Sequence, residues 1–121
     1  LDRIDWGKKV FVVEGQVDSL FLPNCIAVGG ASFDLLDIQK IKSNCVLVMD
    51  NEPRNKEIVK QLGKYIESGY TVCMFPEEIK FKDINDMVMN GMSVEEIVSV
   101  INKNSYQGLA AQMQFASWKK C

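Results

Sequence analysis

The sequence predicts an α/β fold, a Rossmann-like four-stranded parallel sheet flanked by helices, with extra helices at the carboxyl end. Two apolar runs, Val10-Phe11-Val12-Val13 and Cys45-Val46-Leu47-Val48-Met49, lack polar alternation, as strands covered on both faces do. Each run stops on a carboxylate, Glu14 or Asp50. Segments of helical spacing separate the runs, and strands joined by helices pair in parallel through crossovers. The acids then stand at the carboxyl ends of the strands, the edge where open α/β sheets bind ligands.

Leu1 to Lys9 is a polar lead-in with Trp6 and Gly7, and Val10 to Val13 is the first strand. Gly15 lets the chain turn sharply after Glu14. Val17, Leu20 and Phe21 then take helical spacing until Pro23 ends that segment. Ile26-Ala27-Val28 is a second strand, closed by Gly29-Gly30-Ala31-Ser32. Ser32 or Asp34 caps a helix with Leu35, Ile38 and Ile41 on one face.

Cys45 to Met49 is the third strand, and Pro53 suits the first position of the helix that follows. That helix buries Ile58, Leu62, Tyr65 and Ile66, and Gly69 stops it. Thr71 to Phe75 is the fourth strand, ended by Pro76. Asp83 starts a short helix with Ile84, Met87 and Val88 inward and Gly91 at its end. Ser93-Val94-Glu95-Glu96 is a capping box for a helix that buries Val94, Ile97, Val98 and Ile101. Tyr106, Leu109 and Met113 set the face of a last helix, with Trp118 as its docking anchor. Met74, Met87, Met89, Met92 and Met113 read as core or near-core filler.

At 121 residues the chain reads as one domain, with a core over about 10–91 and a helical extension over 92–121. It opens on Leu1 and not on Met, so a fragment of a longer protein is expected. The net charge of −2 offers no basic stripe that would announce nucleic acid. The absence of histidine removes the usual general base, most zinc chemistry and His-dependent triads. None of the four cysteines forms a C-x-x-C pair, and Cys25, Cys45 and Cys73 lie in apolar runs. They read as buried apolar side chains in a reducing compartment, so a cytoplasmic location is expected. No run is long enough to span a bilayer, and no membrane partner is expected.

Asp50 and Glu52 are two apart, so on extended backbone they project to one side. Glu14 from a neighbouring strand and Asp83 from the last loop would join them. Carboxylates so close repel unless a cation neutralises them. Oxygen ligands without Cys or His favour Mg²⁺ or Mn²⁺. Taken singly, each acid also suits a plainer part: Asp50 and Asn51 a helix cap, Glu14-Gly15 a turn. Arg54 and Lys56, near the start of a helix, and Lys82 are candidate phosphate contacts, with Lys80 a further one. Gly29-Gly30-Ala31-Ser32 suits either a close phosphate or a simple turn.

Glu14-Gly15-x-x-Asp18, Asp50-x-Glu52 and Lys82-Asp83-Ile84-Asn85-Asp86, in that order on an α/β pattern, resemble the Toprim domain. That family is shared by DnaG-type primases, topoisomerases, and some nucleases and recombination proteins. Within it, Asp50-Asn51-Glu52-Pro53-Arg54-Asn55-Lys56 and the tail Trp118-Lys119-Lys120 are most similar to the primases of large tailed bacteriophages. The resemblance implies a Toprim-like fold in which Glu14, Asp50 and Glu52 hold catalytic Mg²⁺, with Asp18 and Asp83 supporting them or holding a second ion. It also implies primer synthesis from ribonucleoside triphosphates on a single-stranded DNA template, with a replicative helicase as partner. Glu52 stands where the family usually has aspartate, and Asn85 where primases commonly have a second acid. Both departures bear on a second metal position more than on the first.

Three other readings stay open. The fold would also serve DNA cleavage, as in topoisomerases or Toprim nucleases; a topoisomerase adds a nucleophilic tyrosine outside this module. A signalling receiver would place a phosphoacceptor at Asp50, but it has a fifth strand and an acidic pair after the first. A non-catalytic module would dock helicase or nucleic acid through Tyr106 to Trp118.

Overall fold

A computed structural model describes residues 5, 7–13, 18, 20–27 and 44–120. Its sheet is built from β1 (Val10–Val13), β2 (Cys25–Ala27), β3 (Cys45–Val48), β4 (Thr71–Cys73) and β5 (Ser105–Tyr106). The helices are α1 (Lys56–Glu67), α2 (Ile84–Met89), α3 (Val94–Lys103) and α4 (Gly108–Trp118). The strand order is β2-β1-β3-β4-β5. The first four strands pair in parallel, with Val12 opposite Ile26 and Leu47, and Leu47 opposite Val72. This is the α/β architecture that the sequence predicts, consistent with a Toprim-like, Rossmann-like fold.

Both faces of the sheet are covered, which explains the missing alternation in β1 and β3. Val10, Val12, Leu47, Val72 and Met74 point to the side packed by α1 and α4. Phe11, Val13, Val46, Val48 and Phe75 point to the side packed by α2 and α3. Every residue of β1 and β3 is buried, so the hydrophobic effect favours apolar side chains at all positions.

The sheet has a fifth strand beyond the expected four. Ser105 and Tyr106 pair antiparallel with Cys73 and Val72, and the Met74 amide donates to the Asn104 carbonyl at 3.0 Å. Two residues squeezed between helices carry no period to read, and Tyr106 belongs to this edge rather than to a helix. Strand ends shift elsewhere too: β2 is Cys25–Ala27, and β3 and β4 stop before Met49 and Met74.

The α1 face is as expected, with Ile58, Leu62, Tyr65 and Ile66 buried. Pro53, however, lies in a turn before the helix. Asn55 is the cap, its side-chain oxygen accepting from the Glu57 and Ile58 amides, because an amide side chain satisfies free N–H groups that proline leaves open. Gly69 ends the helix with φ of 87°. The capping box at Ser93 and Glu96 is formed, and Ile97 and Ile101 are buried. Val94, by contrast, is an exposed member of that helix.

In α4 the expected face is turned around. Leu109 and Met113 are 70% and 67% exposed, while Ala111 and Trp118 are buried. Apolar residues surround this helix, so spacing alone does not select a side. Packing against α1 decides it: a Cβ on Gly63 would stand 3.4 Å from the Phe115 ring. Trp118 is the anchor, at 6.5 Å from Phe115 between ring centroids. Met89 and Leu20 are likewise exposed, not inward. The helix expected around Leu35, Ile38 and Ile41 lies outside the described residues.

Candidate metal centre

Three acids meet at the carboxyl edge of the sheet. Asp50 follows β3 and the buried Met49, Asp83 is the N-cap of α2, and Asp18 lies in the connection from β1 to β2. One oxygen from each of the three carboxylates lies within 4.8 Å of the others. Adjacency of β1, β3 and β4 explains the convergence, since their carboxyl ends are neighbours.

Each side chain has local reasons for its place. The Asp83 carboxylate accepts from the Asp86 amide at 2.8 Å, as an N-cap does. Asp18 is 7% exposed and accepts from the Asn85 amide at 2.8 Å. Burial raises the Asp18 pKa above its ordinary value; the Asn85 bond works against that, the Asp83 charge adds to it, and the Lys82 charge lowers it. An acid held in this way is a poor place for an unshared negative charge.

The other expected site residues fall at different distances from this group. Glu14 lies outside the described residues. Glu52 is half-buried and stands outside the cluster. The Glu52 amide donates to the Asp50 carbonyl at 2.9 Å, so the chain turns between the two and the extended geometry expected of Asp50-x-Glu52 is absent. The strand has already ended at Val48. Lys82 is exposed but close enough for its charge to act on Asp18. Arg54 and Lys56 are exposed, Lys56 as the first residue of α1. Arg54, Lys80 and Lys120 line a cleft of about 580 Å³ whose wall also includes Asn51, the chain neighbour of Asp50.

Over 113 residues, 92% of this chain, the sequence is 37% identical to the DNA primase of Enterobacteria phage T4. This chain is similar to a phage DNA primase. It spans about a third of that relative's length, 33%. No model of a protein family matches the chain.

The donor set of this primase-like chain fits a hard divalent cation. It consists of carboxylate oxygens, the ligands Mg²⁺ and Mn²⁺ take. A bound cation would also offset the repulsion among three acids held so close. Burial and then the Asp18 charge push the Cys25 thiol up to about 12, burial raises the Cys73 thiol, and neither sulfur belongs to the group of three carboxylates. The sequence offers Asn51 as a helix-cap residue, but Asn55 is the cap and Asn51 bonds elsewhere. Its side chain donates to the carbonyls of Ile79 and Phe81 at 3.0 and 3.1 Å. No local pattern reveals partners so far along the chain. No helix among the described residues is long and apolar enough to cross a membrane.

Proposed function

We propose that this chain is the metal-dependent nucleotidyl-transfer module of a DNA primase, making short RNA primers on single-stranded DNA from ribonucleoside triphosphates. The observation that carries the reading is the convergence of Asp18, Asp50 and Asp83 at the carboxyl edge of the sheet, in a chain related to a phage primase. In this reading Asp50 and Asp83 would hold Mg²⁺ or Mn²⁺, Asp18 would support them, and Glu14 and Glu52 would be further ligands. A bound divalent ion supplies charge that lowers the pKa of the attacking hydroxyl and neutralises the leaving oxygen.

The chain's own residues bind and position. Lys82, beside the cluster, and Arg54 and Lys56, at the entry to α1, take phosphate oxygens through charge-assisted hydrogen bonds. The primer's 3′ oxygen bonds to the α-phosphorus while the bond to pyrophosphate breaks, and the hydroxyl proton leaves to solvent. No histidine base is required, and alignment with charge neutralisation carries the rate. The partners of this reading are a single-stranded template and a replicative helicase, in the cytoplasm of the host cell.

The test is primer synthesis by the full-length protein with Glu14→Gln and Asp50→Asn. Both variants are expected to lose Mg²⁺-dependent synthesis while keeping their fold by circular dichroism. Wild-type rates in either variant would remove that residue from the site.

A further inference from the structure

Asn51 sits in sequence between the two acids of the Asp50-x-Glu52 pair, and its side chain bonds to the β4–α2 connection. Its Nδ2 donates to the Ile79 carbonyl at 3.0 Å and to the Phe81 carbonyl at 3.1 Å. Its backbone amide donates to the Lys82 carbonyl at 2.6 Å. Three hydrogen bonds from one residue thus tie the end of β3 to the segment that leads directly into Asp83. A carboxamide suits this task because one planar nitrogen carries two donors, matched here to carbonyls two residues apart.

We infer that Asn51 is the positioning residue of the metal centre: it sets the separation of Asp50, its chain neighbour, from Asp83. The inference rests on the metal reading above. Asp50 comes from the end of β3 and Asp83 from the start of α2, and the two elements are separated by the whole of α1, β4 and the connection. Asn51 joins them at the point where they present their acids. The Asp83 side chain is fixed to α2 by its cap bond, and Asp18 is fixed to the same helix through the Asn85 amide. The Asn51 bonds therefore set α2, with two acids attached, against Asp50. Partners that orient metal ligands typically affect metal affinity by roughly 10–100-fold when removed.

The test is Mn²⁺ binding by electron paramagnetic resonance, with the parent chain, Asp50→Asn and Asn51→Leu compared well below their melting temperatures. Asn51→Leu keeps the volume and removes both side-chain donors. A tenfold or greater loss of Mn²⁺ affinity in Asn51→Leu, with a changed spectrum of the bound ion, is expected. Unchanged affinity and spectrum in Asn51→Leu, alongside loss in Asp50→Asn, would overturn the positioning role and leave the metal reading standing. Equal binding by parent and Asp50→Asn, or none by the parent, would overturn both.

Should Asn51→Leu fail to fold, hydrogen exchange of the parent chain with Mg²⁺ decides. The role requires Mg²⁺ to slow exchange of the Asn51, Asn85 and Asp86 amides together. Protection of Asn51 without α2 would overturn it.

Discussion

The Asp18 carboxylate accepts a 2.8 Å hydrogen bond from the backbone amide of Asn85, joining the β1–β2 connection to the first turn of α2. This bond and the burial of Asp18 pull its pKa in opposite directions, and burial prevails. From its ordinary value of 3.8 upward, the unfolded chain gives up a proton that the folded chain keeps. Stability from this group therefore falls as pH rises through that window, and the loss is complete above the raised pKa. Asp18→Asn keeps an acceptor for Asn85 and removes the charge. The metal-free variant should be more stable than the parent at pH 7 and no more stable at pH 3, as urea unfolding over a pH series in chelator would measure.

Mg²⁺ should reverse that order. A ligand that binds only the folded state at a hundred times its Kd adds about 2.7 kcal/mol. The parent is expected to gain thermal stability on Mg²⁺ addition, and Asp18→Asn to gain much less. Equal gains in a scanning calorimeter would place the ion away from Asp18.

Asp83 has two tasks that substitution can separate. Asparagine caps helices as well as aspartate does, whereas alanine costs about 1 kcal/mol at this position. Asp83→Asn should therefore unfold within ~0.5 kcal/mol of the parent yet bind Mn²⁺ weakly. Asp83→Ala should lose both stability and binding.

The α1–α4 contact gives a purely structural prediction. Glycine within a helix costs about 1 kcal/mol relative to alanine, and a Cβ at Gly63 would meet the Phe115 ring at 3.4 Å, ordinary contact. Gly63→Ala should raise stability by up to about 1 kcal/mol. Gly63→Leu should lower it by about 1–3 kcal/mol through overpacking. Urea midpoints distinguish the two.

The reversed face of α4 is testable by truncation. Leu109→Ala and Met113→Ala remove exposed side chains and should cost less than about 0.5 kcal/mol. Leu62→Ala, at 1% exposure, should cost about 2–5 kcal/mol. A large loss at Leu109 would return that residue to the core.

Local chemistry was legible in the chain. The runs that became β1 and β3 are buried on both sides and so had to be apolar throughout, and the buried stripe of α1 and the capping box of α3 follow from period and from hydrogen-bond supply within a few residues. The places of Asp50 and Asp83 followed as well, because one comes just after a strand and the other caps a helix. Other features depended on partners far away in sequence. β5 is an edge made by two residues that find β4, and the apolar residues of α4 mark no single face until packing of Phe115 against Gly63 chooses its side. Glu52 left the expected alignment because the backbone turned after Val48, a turn no strand pattern announces. Sequence by itself determined which residues are apolar, capping or acidic, since those are properties of single side chains and short spacings. Tertiary structure alone decided that Asp18 is buried beside Asp83, and that Asn51 fastens β3 to the connection before α2, because distances and desolvation exist only once the strands are adjacent.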